Sequence, residues 1–121
     1  MSFLNGRANE VDVGPGWREI VLELAAKIDA KWDHVHALQI KEKFGGLRVY
    51  WCIDGELYDA DECANSVSAL VKEAEEKAWK TCEACGKLGE LQTLRLNTPG
   101  SGGWMKTLCD EHAALRNARL V

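Results

Sequence analysis

The sequence predicts an α+β fold in which a helix, a β-hairpin and a second helix precede a treble-clef-like zinc module made of a knuckle, a β-hairpin and a helix. Three observations predict this order. Apolar residues recur with a helical period from Trp17 and again from Cys63. A period-2 pattern flanks Phe44-Gly45-Gly46. Two candidate pairs of metal ligands, C-x-x-C from Cys82 and C-x-x-H from Cys109, follow the second helix.

The chain is predicted to begin with a flexible lead-in over residues 1–16, because glycines and a proline interrupt any periodicity there. A core of residues 17–80 is predicted to follow. Its first helix begins at Trp17 and turns one apolar face inward. The apolar positions of that face are Trp17, Ile20, Val21, Leu24, Ile28 and Trp32.

The predicted hairpin has strands over 34–43 and 47–53 joined by a two-residue Gly45-Gly46 loop. This register places Lys43 opposite Arg48. It also predicts one apolar face, in which Glu42 is the only charged member. The apolar members are Phe44, Leu47, Val49, Ile40, Trp51, Leu38 and Ile53. The opposite face carries Lys41, Lys43, Arg48 and Tyr50. Like charges placed side by side on a sheet are unfavourable unless an opposite charge compensates them. We therefore predict that this face is either solvated or binds an acidic partner.

A second helix is predicted after a capping box formed by Asp59 and Glu62. It continues to Trp79, at the junction with the zinc module. Its predicted core-facing positions are Cys63, Val67, Leu70, Val71, Ala74 and Ala78.

The predicted zinc ligands are Cys82, Cys85, Cys109 and His112 in a module of residues 81–121. Zn²⁺ prefers four tetrahedral ligands drawn from thiolate and imidazole, and a closed Cys₃His set leaves no open position for catalysis. Gly86 is expected to adopt a positive φ so that backbone amides face the sulfurs. The hairpin between the ligand pairs is predicted over 91–96 and 104–108, and the last helix over 110–120.

Composition limits the function. The net charge is −4, and an overall acidic chain is a poor non-specific ligand for nucleic acid. No apolar run is long enough for a membrane span and no signal peptide is evident, so the expected location is the cytoplasm, with no membrane partner. In a reducing compartment Cys52 and Cys63 are predicted to be free, structural thiols.

The phrase Gln39 to Arg48 (QIKEKFGGLR), together with CxxCG from Cys82 and WxxTLCxxH from Trp104, resembles a group of small uncharacterised proteins of bacteria and their phages. The resemblance covers roughly residues 17–113. It implies a bacterial, phage or mobile-element source and no particular activity.

The predicted function is that of a zinc-stabilised interaction protein without catalytic activity, whose partner is a host protein or a defence complex. The candidate contact residues are Lys41, Lys43, Arg48, Tyr50 and Trp104. A nucleic-acid-binding regulator is the first alternative. An HNH-like nuclease is disfavoured, because the hairpin between 91 and 108 contains no histidine.

Overall fold

The computed structural model describes residues 3–6, 10–54, 60–94 and 104–120. The fold is α+β, as the sequence predicts, with the elements in the expected order. The helices are α1 (Arg18–Asp29), α2 (Ala60–Ala78) and α3 (Asp110–Leu120), and a short 3₁₀ helix (Pro15–Trp17) precedes α1. The strands are β1 (Val11–Asp12), β2 (Val35–Lys43), β3 (Gly46–Ile53), β4 (Glu90–Leu94) and β5 (Trp104–Leu108).

Two sheets form, one in each part of the chain. The first has the order β1-β2-β3, with β1 parallel to β2 and β2 antiparallel to β3, and the second is the β4-β5 hairpin. Helix α1 packs on α2, which packs on β3. The buried residues of this first part are Phe3, Trp17, Ile20, Val21, Leu24, Ala25, Ile28, Val35, Ala37, Ile40, Leu47, Cys63, Val67, Val71, Ala74 and Ala78. Both predicted helical stripes therefore face one core, with Trp32 and Leu70 partly buried against it.

The described part of the N-terminal segment packs on this core, which differs from the expected lead-in. Phe3 is fully buried, and its N–H donates to the carboxylate of Asp29 at 2.6 Å. Glu10 is buried as well; its carboxylate accepts the N–H of Asn5, and its C=O accepts the N–H of Ile40. A strand of two residues is too short to produce a period in the sequence, so this pairing had no sequence signal.

The hairpin turn lies one residue earlier than predicted. Its two residues are Phe44-Gly45, with φ of 54° and 83°, and not Gly45-Gly46. The predicted like-charge pair of Lys43 and Arg48 was wrong, because Arg48 lies opposite Lys41. The shift moves each partner by two residues, so the paired residues from Gln39 to Lys43 keep the face that was predicted for them.

Packing explains the turn position. A Cβ atom on Gly46 would lie 2.7 Å from Cζ2 of Trp79, and one on Gly45 would lie 2.4 Å from Cδ1 of Leu91. Gly46 therefore stays in the strand beneath the tryptophan ring. Phe44 is left at the tip of the turn, where it is 65% exposed, so its predicted core position was wrong.

An irregularity in β2 accounts for the other error on the predicted apolar face. The register shifts between Ala37 and Gln39, and Leu38 is 52% exposed instead of buried. Ile40 and Leu47 are buried as predicted.

The C-terminal part follows the predicted order closely. The first strand is Glu90–Leu94, against the predicted 91–96, whereas Trp104–Leu108 and Asp110–Leu120 agree with the prediction. The glycine-rich turn at 97–103 and the capping residue Asp59 lie outside the described residues. The division into a core of 17–80 and a module of 81–121 stays a prediction, and hydrogen bonds cross it at several points.

Candidate metal centre

The four predicted ligands come together. The sulfurs of Cys82, Cys85 and Cys109 and a ring nitrogen of His112 all lie within 4.8 Å of one another. Cys82 and Cys85 stand in the turn that follows α2, Cys109 lies between β5 and α3, and His112 lies in the first turn of α3. The turn after α2, the connection between β5 and α3, and the first turn of α3 therefore converge on one cluster of soft and borderline donors.

The distances suit a tetrahedral ion. Bonds of about 2.3 Å to sulfur and about 2.0 Å to nitrogen place two ligand sulfurs about 3.8 Å apart, and a sulfur and a nitrogen about 3.5 Å apart. The Sγ atoms of Cys85 and Cys109 are 3.8 Å apart. Nδ1 of His112 lies 3.8 Å from Sγ of Cys82 and 3.1 Å from Sγ of Cys109. The four residues are therefore placed to hold a metal ion, with Nδ1 of His112 on the side of the sulfurs.

The turn that carries the first two cysteines is the predicted knuckle. Gly86 has a φ of 83°, and its N–H donates to the C=O of Cys82 at 2.8 Å. Burial, the largest influence on the Cys82 thiol, favours its neutral form. Backbone N–H groups of Cys109, Cys85 and Ala84 donate to the sulfur, and together they lower the pKa of Cys82. These hydrogen bonds therefore stabilise the thiolate form of Cys82.

Cys85 differs from its partner. The backbone N–H of Lys87 favours the Cys85 thiolate, but burial and the neighbouring sulfurs of Cys82 and Cys109 outweigh it, so the pKa of Cys85 is raised. Thiolates this close together repel each other unless a cation lies between them. A divalent metal ion supplies that charge and holds a coordinating thiol in its deprotonated form.

The segment before α1 packs directly against the backbone of the knuckle. The N–H of Gly16 donates to the C=O of Glu83 at 2.6 Å, and a Cβ on Gly16 would lie 2.0 Å from the carbonyl oxygen of Cys82. Nε1 of the buried Trp17 donates to the C=O of Thr81 at 2.8 Å. Only glycine permits this approach of two backbones, so the first part of the chain fixes where the metal ligands lie.

A buried ion cluster joins the hairpin to the metal site on the other side. Nζ of Lys106 lies 2.7 Å from Oε1 of Glu42 and 3.4 Å from Oε1 of Glu83, and all three side chains are at most 14% exposed. Oε2 of Glu42 accepts a hydrogen bond from the N–H of Gly45, and Oε2 of Glu83 accepts one from the N–H of Gly14. Glu42, Glu83, Lys106 and Gly14 line a cleft of about 440 Å³. The sequence had marked Glu42 as a charge on the apolar face, but nothing in its pattern indicated Lys106 as the partner.

Four of the five predicted contact residues lie on the open face of the first sheet. Lys41 lies opposite Arg48, with its ammonium 5.6 Å from the ring centroid of Tyr50. Burial raises the pKa of the Glu75 carboxyl on α2, and the charge of Arg48 opposes that shift, so Arg48 has an acidic neighbour. Lys43 is exposed near the turn. The side chain of the fifth predicted contact residue, Trp104, lies outside the described residues.

Within the described residues, neither Cys52 nor Cys63 forms a disulfide. Nε2 of His34 lies 4.0 Å from Sγ of Cys63, a contact between residues 29 positions apart that no pattern in the sequence indicated. The thiol is only 2% exposed and belongs to the core. This pair therefore serves packing and does not form a substrate site.

Comparisons of the chain with models of protein families, with curated proteins and with solved structures found no match. In the part of the chain that the structure describes, no helix has the length and apolar character needed to cross a membrane.

Proposed function

We propose that the bound metal is zinc and that its role is structural. The support is the donor set: thiolates and one imidazole suit Zn²⁺, and their mutual distances suit its tetrahedral geometry. Four protein ligands close the coordination shell, so the ion holds the knuckle, the β4-β5 hairpin and α3 together and takes no part in a reaction.

The protein is a zinc-stabilised binding protein without catalytic activity, and its contact surface is the open face of the first sheet. The observation that carries this proposal is the register of β2 and β3. It sets Lys41 opposite Arg48, with the exposed ring of Tyr50 beside them. A surface with these charges suits an acidic protein partner, because complementary charge speeds association and selects partners.

The expected partner is a host protein or a defence complex in a bacterial cytoplasm. The resemblance of the hairpin phrase to small proteins of bacteria and their phages supports this setting.

Nucleic acid is a weaker candidate. Each neutralised phosphate contributes to binding, so a face with Lys41, Lys43 and Arg48 gives a modest salt-dependent affinity, and the net charge of −4 opposes it. A nuclease is weaker still, because the closed ligand set provides no position for a water or a phosphate.

The test compares the double variant Lys41→Glu/Arg48→Glu with wild type in affinity purification from bacterial lysate, followed by reconstitution with the purified partner. Lys31→Glu/Lys72→Glu changes the same charge at exposed positions elsewhere and is the matched control. The face variant should lose the partner while the control keeps it. Equal capture by all three proteins would show that the interface lies elsewhere.

A further inference from the structure

The residue at the hairpin tip has a conformation that its type disfavours. Among the described residues, Phe44 is the non-glycine residue with a positive φ, at 54°. Bulky residues are rare in this region, and two-residue turns of this kind favour Asn or Gly at the position. Backbone strain of this kind often occurs at functional sites, where the residue is retained for its function and not for the fold.

The fold makes little use of the Phe44 ring. The side chain is 65% exposed and belongs to neither buried cluster. The turn itself is fixed by the contacts of Gly45 with Leu91 and of Gly46 with Trp79, and neither contact involves the ring. Asn at this position would satisfy the same turn with less strain.

Exposed apolar groups surround the tip. Trp79 is 41% exposed and lies against Gly46, and Leu91 is 42% exposed and lies against Gly45. Phe44, Trp79 and Leu91 are therefore exposed apolar residues that lie in the turn or next to its glycine neighbours. We call these three residues the tip patch.

The charge beside the tip patch is positive. Nζ of Lys43 lies 5.6 Å from the ring centroid of Phe44, and Lys41 and Arg48 follow along the open face. In the described ranges no carboxylate lies within ion-pair distance of Lys43. An occupant of this surface therefore needs carboxylates together with an apolar side chain.

We propose that Phe44 is the apolar anchor of the interface and that the partner presents an acidic segment carrying an aromatic or aliphatic residue, an inference that rests on the proposed function. The carboxylates pair with Lys43, Lys41 and Arg48, and the apolar residue packs on the tip patch. Aromatic residues in such positions often dominate binding energy.

The probe is a Glu-Tyr copolymer, compared with polyglutamate of matched length by fluorescence anisotropy. Wild type should bind the copolymer more tightly than polyglutamate. Phe44→Asn should bind the two polymers equally, with a loss of about tenfold for the copolymer. Phe44→Tyr, which keeps a ring, should retain binding, and so should Leu22→Gln, which removes an exposed apolar residue on α1.

The melting temperature distinguishes a binding role of Phe44 from a structural one. If the ring stabilised the fold, its removal would lower the melting temperature. Asn tolerates a positive φ, so Phe44→Asn should melt at or above the wild-type temperature while it loses the copolymer. A lower melting temperature would mean that the fold needs the ring and would overturn the inference. Equal binding of the two polymers by wild type, or full copolymer binding by Phe44→Asn, would also overturn it.

Two further outcomes separate this inference from the proposed function. If Lys41→Glu/Arg48→Glu loses both polymers and Phe44→Asn loses neither, the basic face is the binding surface and the anchor is refuted. If neither variant loses binding, both ideas fail. A single-stranded oligothymidylate is then added as a competitor. If it displaces the copolymer from wild type and its own binding also requires Phe44, the surface binds nucleic acid, and the proposal of an acidic partner segment is overturned.

Discussion

The two parts of this chain are stabilised in different ways. The first part buries a continuous apolar core between α1, α2 and the β1-β2-β3 sheet. In the C-terminal part the buried apolar cluster within the described residues consists of Cys82, Leu108 and Ala113, and one of these is a metal ligand. A module with so little core needs a metal or a crosslink to fold, because short segments bury too small a share of their surface. The difference agrees with our proposal that a metal ion at the Cys₃His cluster takes the place of the missing core.

The boundary between the two parts is largely polar. Trp17 donates to the C=O of Thr81, the hydroxyl of Thr107 donates to the C=O of Gly45 at 2.6 Å, and Lys106 bridges Glu42 and Glu83. Contacts of this kind depend on geometry. We therefore expect that damage to the metal site loosens the boundary, whereas damage to the core leaves the metal site intact until the whole chain unfolds.

The largest expected effect comes from removing a metal ligand. Structural zinc contributes an apparent ~10–16 kcal/mol in small modules, more than the stability of most domains. Cys109→Ser should therefore unfold the C-terminal part while α1 and β2 keep their amide signals in a two-dimensional NMR spectrum. Cys52→Ser, a cysteine outside the site, is the control and should change neither part. Native signals throughout Cys109→Ser would contradict the contrast between the two parts.

A cavity in the apolar core should be the next most severe change. Ile28 is fully buried on α1, and Ile28→Ala should lower the free energy of unfolding by about 4 kcal/mol, from lost burial and the cavity that remains. Denaturant titration measures it. Zinc should remain bound until the cooperative transition, as native mass spectrometry can verify. Release of zinc well before that transition would show that the core controls the metal site directly.

Breaking the buried ion cluster should have a somewhat smaller effect. Lys106→Met leaves the carboxylates of Glu42 and Glu83 close together without a counter-charge, and removing one partner of a buried ion pair costs about 3 kcal/mol. Lys87→Met, an exposed lysine of the same module, is the matched control in thermal unfolding. Adding Glu42→Gln to Lys106→Met should recover part of the loss. Equal melting of the two lysine variants would mean that the cluster does not join the parts.

The smallest effect is expected on the surface of the two helices. Hydrogen bonds from Lys77 and Lys27 hold the pKa of Glu23 below its usual 4.5. A carboxyl with a lowered pKa in the folded state contributes stability above its ordinary pKa, and that contribution is lost as the pH falls through the folded value. Glu23→Gln should therefore flatten the acid side of the stability profile slightly, in a salt-dependent way. An unchanged profile would show that these exposed ion pairs add nothing.

The sequence predicted the parts whose signals are local. Helical periods located the buried faces of α1 and α2, and ligand spacing located the metal site, because each pattern is contained within a short stretch. The turn position was not predictable in this way. Either pair of residues, Phe44-Gly45 or Gly45-Gly46, can form the loop, and the choice depends on Trp79 lying over Gly46, a contact between distant residues. The partner of Glu42 and the strand β1 were missed for the same reason.

The most direct test of the account is the zinc content of the purified protein, measured by native mass spectrometry without chelator and repeated with His112→Ala. Wild type should carry a single zinc ion per chain with all five cysteines free of disulfides, and His112→Ala should hold the metal much more weakly. Wild-type protein that folds without zinc, or that links Cys85 to Cys109 by a disulfide, would contradict the claim that a metal ion organises the C-terminal part.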